Sequence, residues 1–137
     1  MERILVSMNR GKVPWEALSR SIALAKRIGA SLYVLSVFPP GKPDAGPDPD
    51  SRRKLDQQIK DASDDGLHVD SFISEGSYEQ EVIRFVEQNK ITLLVTEYGN
   101  IGRGHSEQEW ASLQTIRHRV SCRVEIVTPR RMTSRGE

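Results

Sequence analysis

A chain of 137 residues and 15.5 kDa has room for one domain with a sizeable core and is too short for two. Twenty Lys and Arg stand against nineteen Asp and Glu, and a formal charge of +1 excludes a general electrostatic pull toward nucleic acid or a membrane surface. With 36% hydrophobic residues, a mean hydropathy of -0.52 and no run near the roughly 20 apolar residues of a membrane-spanning helix, the sequence reads as soluble.

A single cysteine, Cys122, leaves no internal disulfide framework and no zinc site built on several thiolates, which suits a reducing compartment. The opening segment is polar again by Ser7 and has no signal-peptide pattern, so a cytoplasmic location is expected.

Ile4-Leu5-Val6 is a short apolar run that predicts a buried strand, and the polar turn from Ser7 to Lys12 follows it. Trp15, Leu18, Ile22, Ala25 and Ile28 recur at spacings of three and four, one apolar stripe on a helix that begins near Pro14 and ends at Gly29. Leu32 to Phe38 is a second apolar strand, stopped by Pro39-Pro40. Two such strands around an amphipathic helix form a βαβ unit with parallel pairing. Residues 39–50 hold five prolines, two glycines and three aspartates, so a mobile surface loop with a disordered tip is expected there.

Ser51 to Ala62 carries a thin stripe of Leu55, Ile59 and Ala62, enough for a helix lying on a sheet surface. Leu67 to Ser74 reads as a third strand whose His68, Asp70 and Ser71 suit an edge. Ser77 and Gln80 have capping-box spacing before a helix that buries Val82, Ile83 and Val86. Ile91 to Thr96 is the fourth strand, and a glycine-rich loop follows from Tyr98 to His105. Ser106 and Glu109 make a second capping-box spacing, after which Trp110, Leu113, Ile116 and Val120 trace a helical stripe. Arg123 to Val127 is the last strand, and no internal repeat is visible. The alternation predicts a doubly wound α/β sandwich, with ligands placed beyond the carboxyl ends of the strands where the strand order reverses. The loops after the first and fourth strands are therefore the ones to inspect.

The loop from Gly99 to Ser106 leads from a strand end into a helix start, where glycines permit close approach and free N–H groups favour an anion. It is not a Walker A loop, and Gly102-x-Gly104 lacks the third glycine of a dinucleotide fingerprint. His68, His105 and His118 have no metal-ligand spacing, Asp64-Asp65 suits a solvated turn, and Cys122 reads as a small buried residue. Trp15 and Trp110 fall on apolar stripes and are expected in the core. From Arg117 onward six arginines face two glutamates, read as a solvated basic tail over residues 130–137 after a single domain at 1–129.

The chain resembles the universal stress protein family over almost its whole length. The resemblance rests on Arg3-Ile4-Leu5-Val6 with its polar turn, the segment from Ala23 to Leu32, Val37-Phe38-Pro39, Glu75-Gly76-Ser77, Ile91 to Val95 and Arg119 to Val127. It implies a three-layer sandwich around a five-stranded parallel sheet of order 3-2-1-4-5, of the adenine-nucleotide alpha-hydrolase-like kind. In nucleotide-binding members an acid after the first strand holds the adenine, and a Gly-x-x-Gly, nine residues, Gly-Ser/Thr pattern wraps ribose and phosphates. Gly99-x-x-Gly102 fits the opening of that pattern, whereas Ser112-Leu113 stands where Gly-Ser/Thr belongs and Asn9 stands where the family has aspartate. Leu113 cannot replace a hydroxyl, but the Asn9 amide can still both accept and donate. The resemblance thus implies a relaxed site for ATP or AMP at Ser7, Asn9, Val37, Gly99, Gly102, Arg103 and Ser112, with His105 nearby, no catalytic group, and at most a weak ATPase activity.

It also implies a homodimer in which the last strand pairs antiparallel across a two-fold axis through Arg123, Val124, Glu125 and Ile126, with Arg123 facing the partner copy's Glu125. The rival expectation is a dimeric interaction module without nucleotide, acting on a transporter or sensor kinase. An adenylating enzyme of this architecture needs a Ser-Gly-Gly-type loop that Ser7-Met8-Asn9-Arg10-Gly11 does not supply. A receiver domain needs paired acids that Asn9 and Ser36-Val37-Phe38 do not offer.

Overall fold

The computed structural model describes residues 2–9, 11–41, 46–99 and 107–129. Among them strands and helices alternate: β1 (Arg3–Asn9), α1 (Trp15–Ile28), β2 (Ser31–Phe38), α2 (Pro49–Asp64), β3 (Val69–Glu75), α3 (Tyr78–Gln88), β4 (Leu93–Glu97), α4 (Glu107–Arg119) and β5 (Arg123–Val127). The strands form one sheet of order β3-β2-β1-β4-β5, and every neighbouring pair is parallel. This is the doubly wound architecture that the sequence predicts, with β3 at one edge as expected.

Alternation along the strands divides the core into two layers. On one face Ile4, Val6, Met8, Leu32, Val34, Leu93 and Val95 pack with Leu18 and Ala25 of α1 and with Leu55 and Ala62 of α2. On the other face Leu5, Leu35, Val37 and Leu94 meet Val82 and Val86 of α3 and Leu113 and Ile116 of α4. Both faces of the central strands are covered, which accounts for their unbroken apolar runs. β1 pairs β2 on one side and β4 on the other, so the order of the strands reverses there and a crevice opens at their carboxyl ends.

The helix ends follow local chemistry. Gly29 ends α1 in the left-handed conformation at φ +72°, and its N–H donates to the carbonyl of Ala25. α2 starts within the segment expected to be loop: Asp48 is its N-cap and accepts from the Ser51 N–H at 3.2 Å, while Pro49 takes the first helical position, where its missing N–H costs nothing. Only residues 42–45 of the proline-rich stretch lie outside the described residues, as does the tail at 130–137.

Two stripe assignments are corrected. Ile28, the last residue of α1, is 48% exposed, and Trp110 is 42% exposed. The Trp110 ring is covered from one side by an edge-to-face contact with Tyr98, centroids 4.8 Å apart, and not by the core. Trp15 is partly buried against the core and carries Lys54 Nζ over its ring at 5.1 Å. The capping box at α3 is not formed: Ser77 is the N-cap but is exposed, and its side chain makes no cap hydrogen bond. For the second box, Ser106 lies outside the described residues.

Candidate functional site

The crevice beyond β1 and β4 is a cleft of about 480 Å³, within the range of small-molecule sites. β1 contributes Ser7 and Asn9 from its end, and the chain then turns through Lys12, Val13 and Pro14 along the rim. β4 contributes Glu97, and two residues past its end comes Gly99, which has φ +92° and so adopts a conformation costly for any side chain. Tyr78 and Glu79 come from the first turn of α3, and Gln108, Glu109, Ser112 and Leu113 from α4.

Ser7, Asn9, Gly99 and Ser112 therefore meet in one cleft, although they come from the ends of two strands and from a helix. Val37 stands beside Asn9 in the parallel register, but its side chain is 1% exposed in the interior under α3 and is not among the cleft-lining residues. Gly102, Arg103 and His105 lie outside the described residues.

The wall contains two polar arrangements that the sequence did not announce. Ser7 is 3% exposed, and its Oγ shares a hydrogen bond of 2.7 Å with the Tyr78 hydroxyl. Burial pushes the Tyr78 hydroxyl up to about 12; the Ser7 bond opposes that shift and the Glu109 charge adds to it. On the opposite wall Glu97 Oε1 accepts from the Ala17 backbone N–H at 2.9 Å. Pro14, the N-cap of α1, has no side-chain acceptor to offer, so Glu97 supplies the carboxylate that satisfies this helix start. Burial holds the Glu97 carboxyl above the usual carboxylate range, the Ala17 N–H pulls it back, and the neighbouring Glu16 charge raises it further.

Among the described lining residues three carboxylates, Glu79, Glu97 and Glu109, face one ammonium, Lys12. No group of three His, Cys, Asp or Glu that could hold a metal ion occurs among the described residues. Cys122 is partly exposed, not buried as expected, and its remaining burial raises the thiol above its ordinary value, which keeps it protonated and a poor nucleophile. No helix among the described residues is long and apolar enough to cross a membrane.

A parallel sheet of this strand order with helices on both faces and an open cleft at its switch point defines the doubly wound class of α/β domains. The Universal stress protein family model matches residues 1–110, and the chain belongs to that family. Its fold is shared with universal stress protein UspA from Lactobacillus plantarum, at 19% identity, covering 92% of this chain and 97% of that one with a TM-score of 0.64. A universal stress protein solved in complex with cAMP is 17% identical, with 93% and 96% covered and a TM-score of 0.68. The universal stress protein from Archaeoglobus fulgidus in complex with dAMP is 14% identical, with 93% and 98% covered and a TM-score of 0.62. No curated protein matches the sequence.

Proposed function

We propose that this chain is a regulatory domain that binds an adenine nucleotide, AMP or ATP, in the cleft beyond β1 and β4. The observation that carries this reading is the convergence of Ser7, Asn9, Gly99 and Ser112 on one cleft of about 480 Å³ at the switch point of the sheet. The Asn9 amide has both a donor and an acceptor for the adenine edge, Gly99 lets the backbone approach a ribose, and Ser112 offers a hydroxyl. Gly102 and Arg103 complete the proposed contacts. Two structural relatives crystallised with cAMP and dAMP support the ligand class. Binding, with at most slow hydrolysis, is the proposed activity.

Calorimetric titration with AMP and ATP tests the reading. Saturable binding that weakens about tenfold or more in Asn9→Ala supports it. Absence of heat at millimolar ligand overturns it and leaves a nucleotide-independent interaction module.

The second part of the proposal concerns assembly. Among the described residues β5 is an edge strand paired with β4 alone, it exposes Arg123 and Glu125, and it leaves Val124 and Ile126 half-buried. An open edge of this kind invites a second strand. Two copies of β5 running antiparallel place Arg123 opposite the partner copy's Glu125, a favourable cross-strand pair that favours a homodimer.

A further inference from the structure

We propose that Glu97 sets the charge of the ligand this cleft accepts, favouring an adenosine-type ligand of low negative charge over a nucleoside triphosphate. The inference rests on the adenine-nucleotide reading above and adds the residue that selects among such ligands.

Two helix starts border this cleft, those of α1 and α4, and free N–H donors at a helix start favour a ligand's phosphate. At α1 that place is already taken: Glu97, at the end of β4, accepts the Ala17 N–H at 2.9 Å. The carboxylate belongs to the protein and stays in the cleft when a ligand enters. Glu16 stands beside it in the first turn of α1, ion-paired to Arg20 at 2.9 Å, Glu79 lies across the cleft on α3, and Lys12 is the single cation among the described lining residues. A partly buried charge is screened less than one at the surface, so each phosphate brought into this space meets repulsion that the neutral adenosine portion does not feel. Selection by an unfavourable contact of this kind discriminates by charge and leaves recognition of the base unchanged.

Glu97→Gln keeps the length of the side chain and an oxygen for the Ala17 N–H while it removes the charge. The test is calorimetric titration of adenosine, AMP and ATP into the wild-type chain, Glu97→Gln and the charge-retaining Glu97→Asp. The wild type and Glu97→Asp are expected to bind adenosine or AMP more tightly than ATP. Glu97→Gln is expected to narrow that gap by about tenfold, through stronger ATP binding with adenosine nearly unchanged. Should Glu97→Gln fail to fold, Glu97→Ser removes the same charge with a smaller side chain and carries the same comparison. Wild-type binding of ATP as tight as that of adenosine, or an unchanged ratio in the neutral variant, overturns the role of Glu97 while the adenine site stands. Failure of all three ligands in every variant overturns the adenine reading, and this inference with it.

Discussion

The Glu97 carboxylate at the end of β4 and the Ala17 N–H in the first turn of α1 lie 2.9 Å apart, so a strand on one side of the cleft closes the helix start on the other. The folded protein holds this carboxyl above its ordinary value of 4.5, which means that the folded state binds the proton more readily than the unfolded chain. Stability from this group is therefore fully present below pH 4.5 and declines as pH rises through the folded value. Glu97→Gln is expected to flatten that decline, measured as the denaturant midpoint between pH 4 and pH 7. An equally steep decline in the variant would place its origin elsewhere.

Tyr78 makes the opposite wall titrate at the alkaline end. Its hydroxyl lies at about 12 in the folded protein against 10.0 ordinarily, so the unfolded chain loses the proton first and stability falls between those two values. Tyr78→Phe is expected to blunt alkaline unfolding in that window. At neutral pH the same variant leaves the buried Ser7 hydroxyl without its partner and is expected to cost about 1–3 kcal/mol in urea denaturation. A variant as stable as the parent would show that Ser7 finds another partner.

Gly29 ends α1 at φ +72° with open space where a Cβ would stand, so Gly29→Ala meets no clash and only the backbone conformation resists it. Thermal or chemical denaturation is expected to show a loss of about 1–2 kcal/mol. A loss above 4 kcal/mol would mean that the residue has a packing role that its surroundings do not suggest.

Assembly through β5 gives a separate forecast. Ile126→Lys places a charge on the proposed interface without touching the cleft, and sedimentation velocity at micromolar concentration is expected to show a dimer for the parent and a monomer for the variant. A monomeric parent, or a dimeric variant, contradicts pairing by this strand.

The layered sheet was legible because its signals are local. Apolar runs such as Ile4-Leu5-Val6 and Leu32 to Phe38 are too short for globular helices and end at turn residues, which marks them as strands covered on both faces, and the stripe through Leu18, Ile22 and Ala25 with Gly29 beyond it marks α1 without any tertiary knowledge. Prolines misled where they punctuate differently: Pro49 opens α2 because Asp48 caps it, a combination hidden in a stretch whose composition reads as loop. Trp110 fits a helical period yet sits at the rim against Tyr98, since periodicity locates a stripe and not where the layer beneath it ends. Four cleft residues were readable beforehand: Ser7 and Asn9 at the end of β1, Gly99 in the loop after β4, and Ser112 on α4. Glu97 and Tyr78 were not, because their partners Ala17 and Ser7 are brought near only by the crossovers of the finished sheet. The one available signal was an acid at the end of an apolar strand in a fold whose first helix begins with a proline that cannot cap.

A crystal structure of the full chain grown with saturating AMP tests the central claim most directly. The account predicts the adenine beside Asn9 and the ribose against Gly99 and Ser112, inside the cleft between β1 and β4. Electron density for AMP anywhere else, or an empty cleft at saturation, would contradict it.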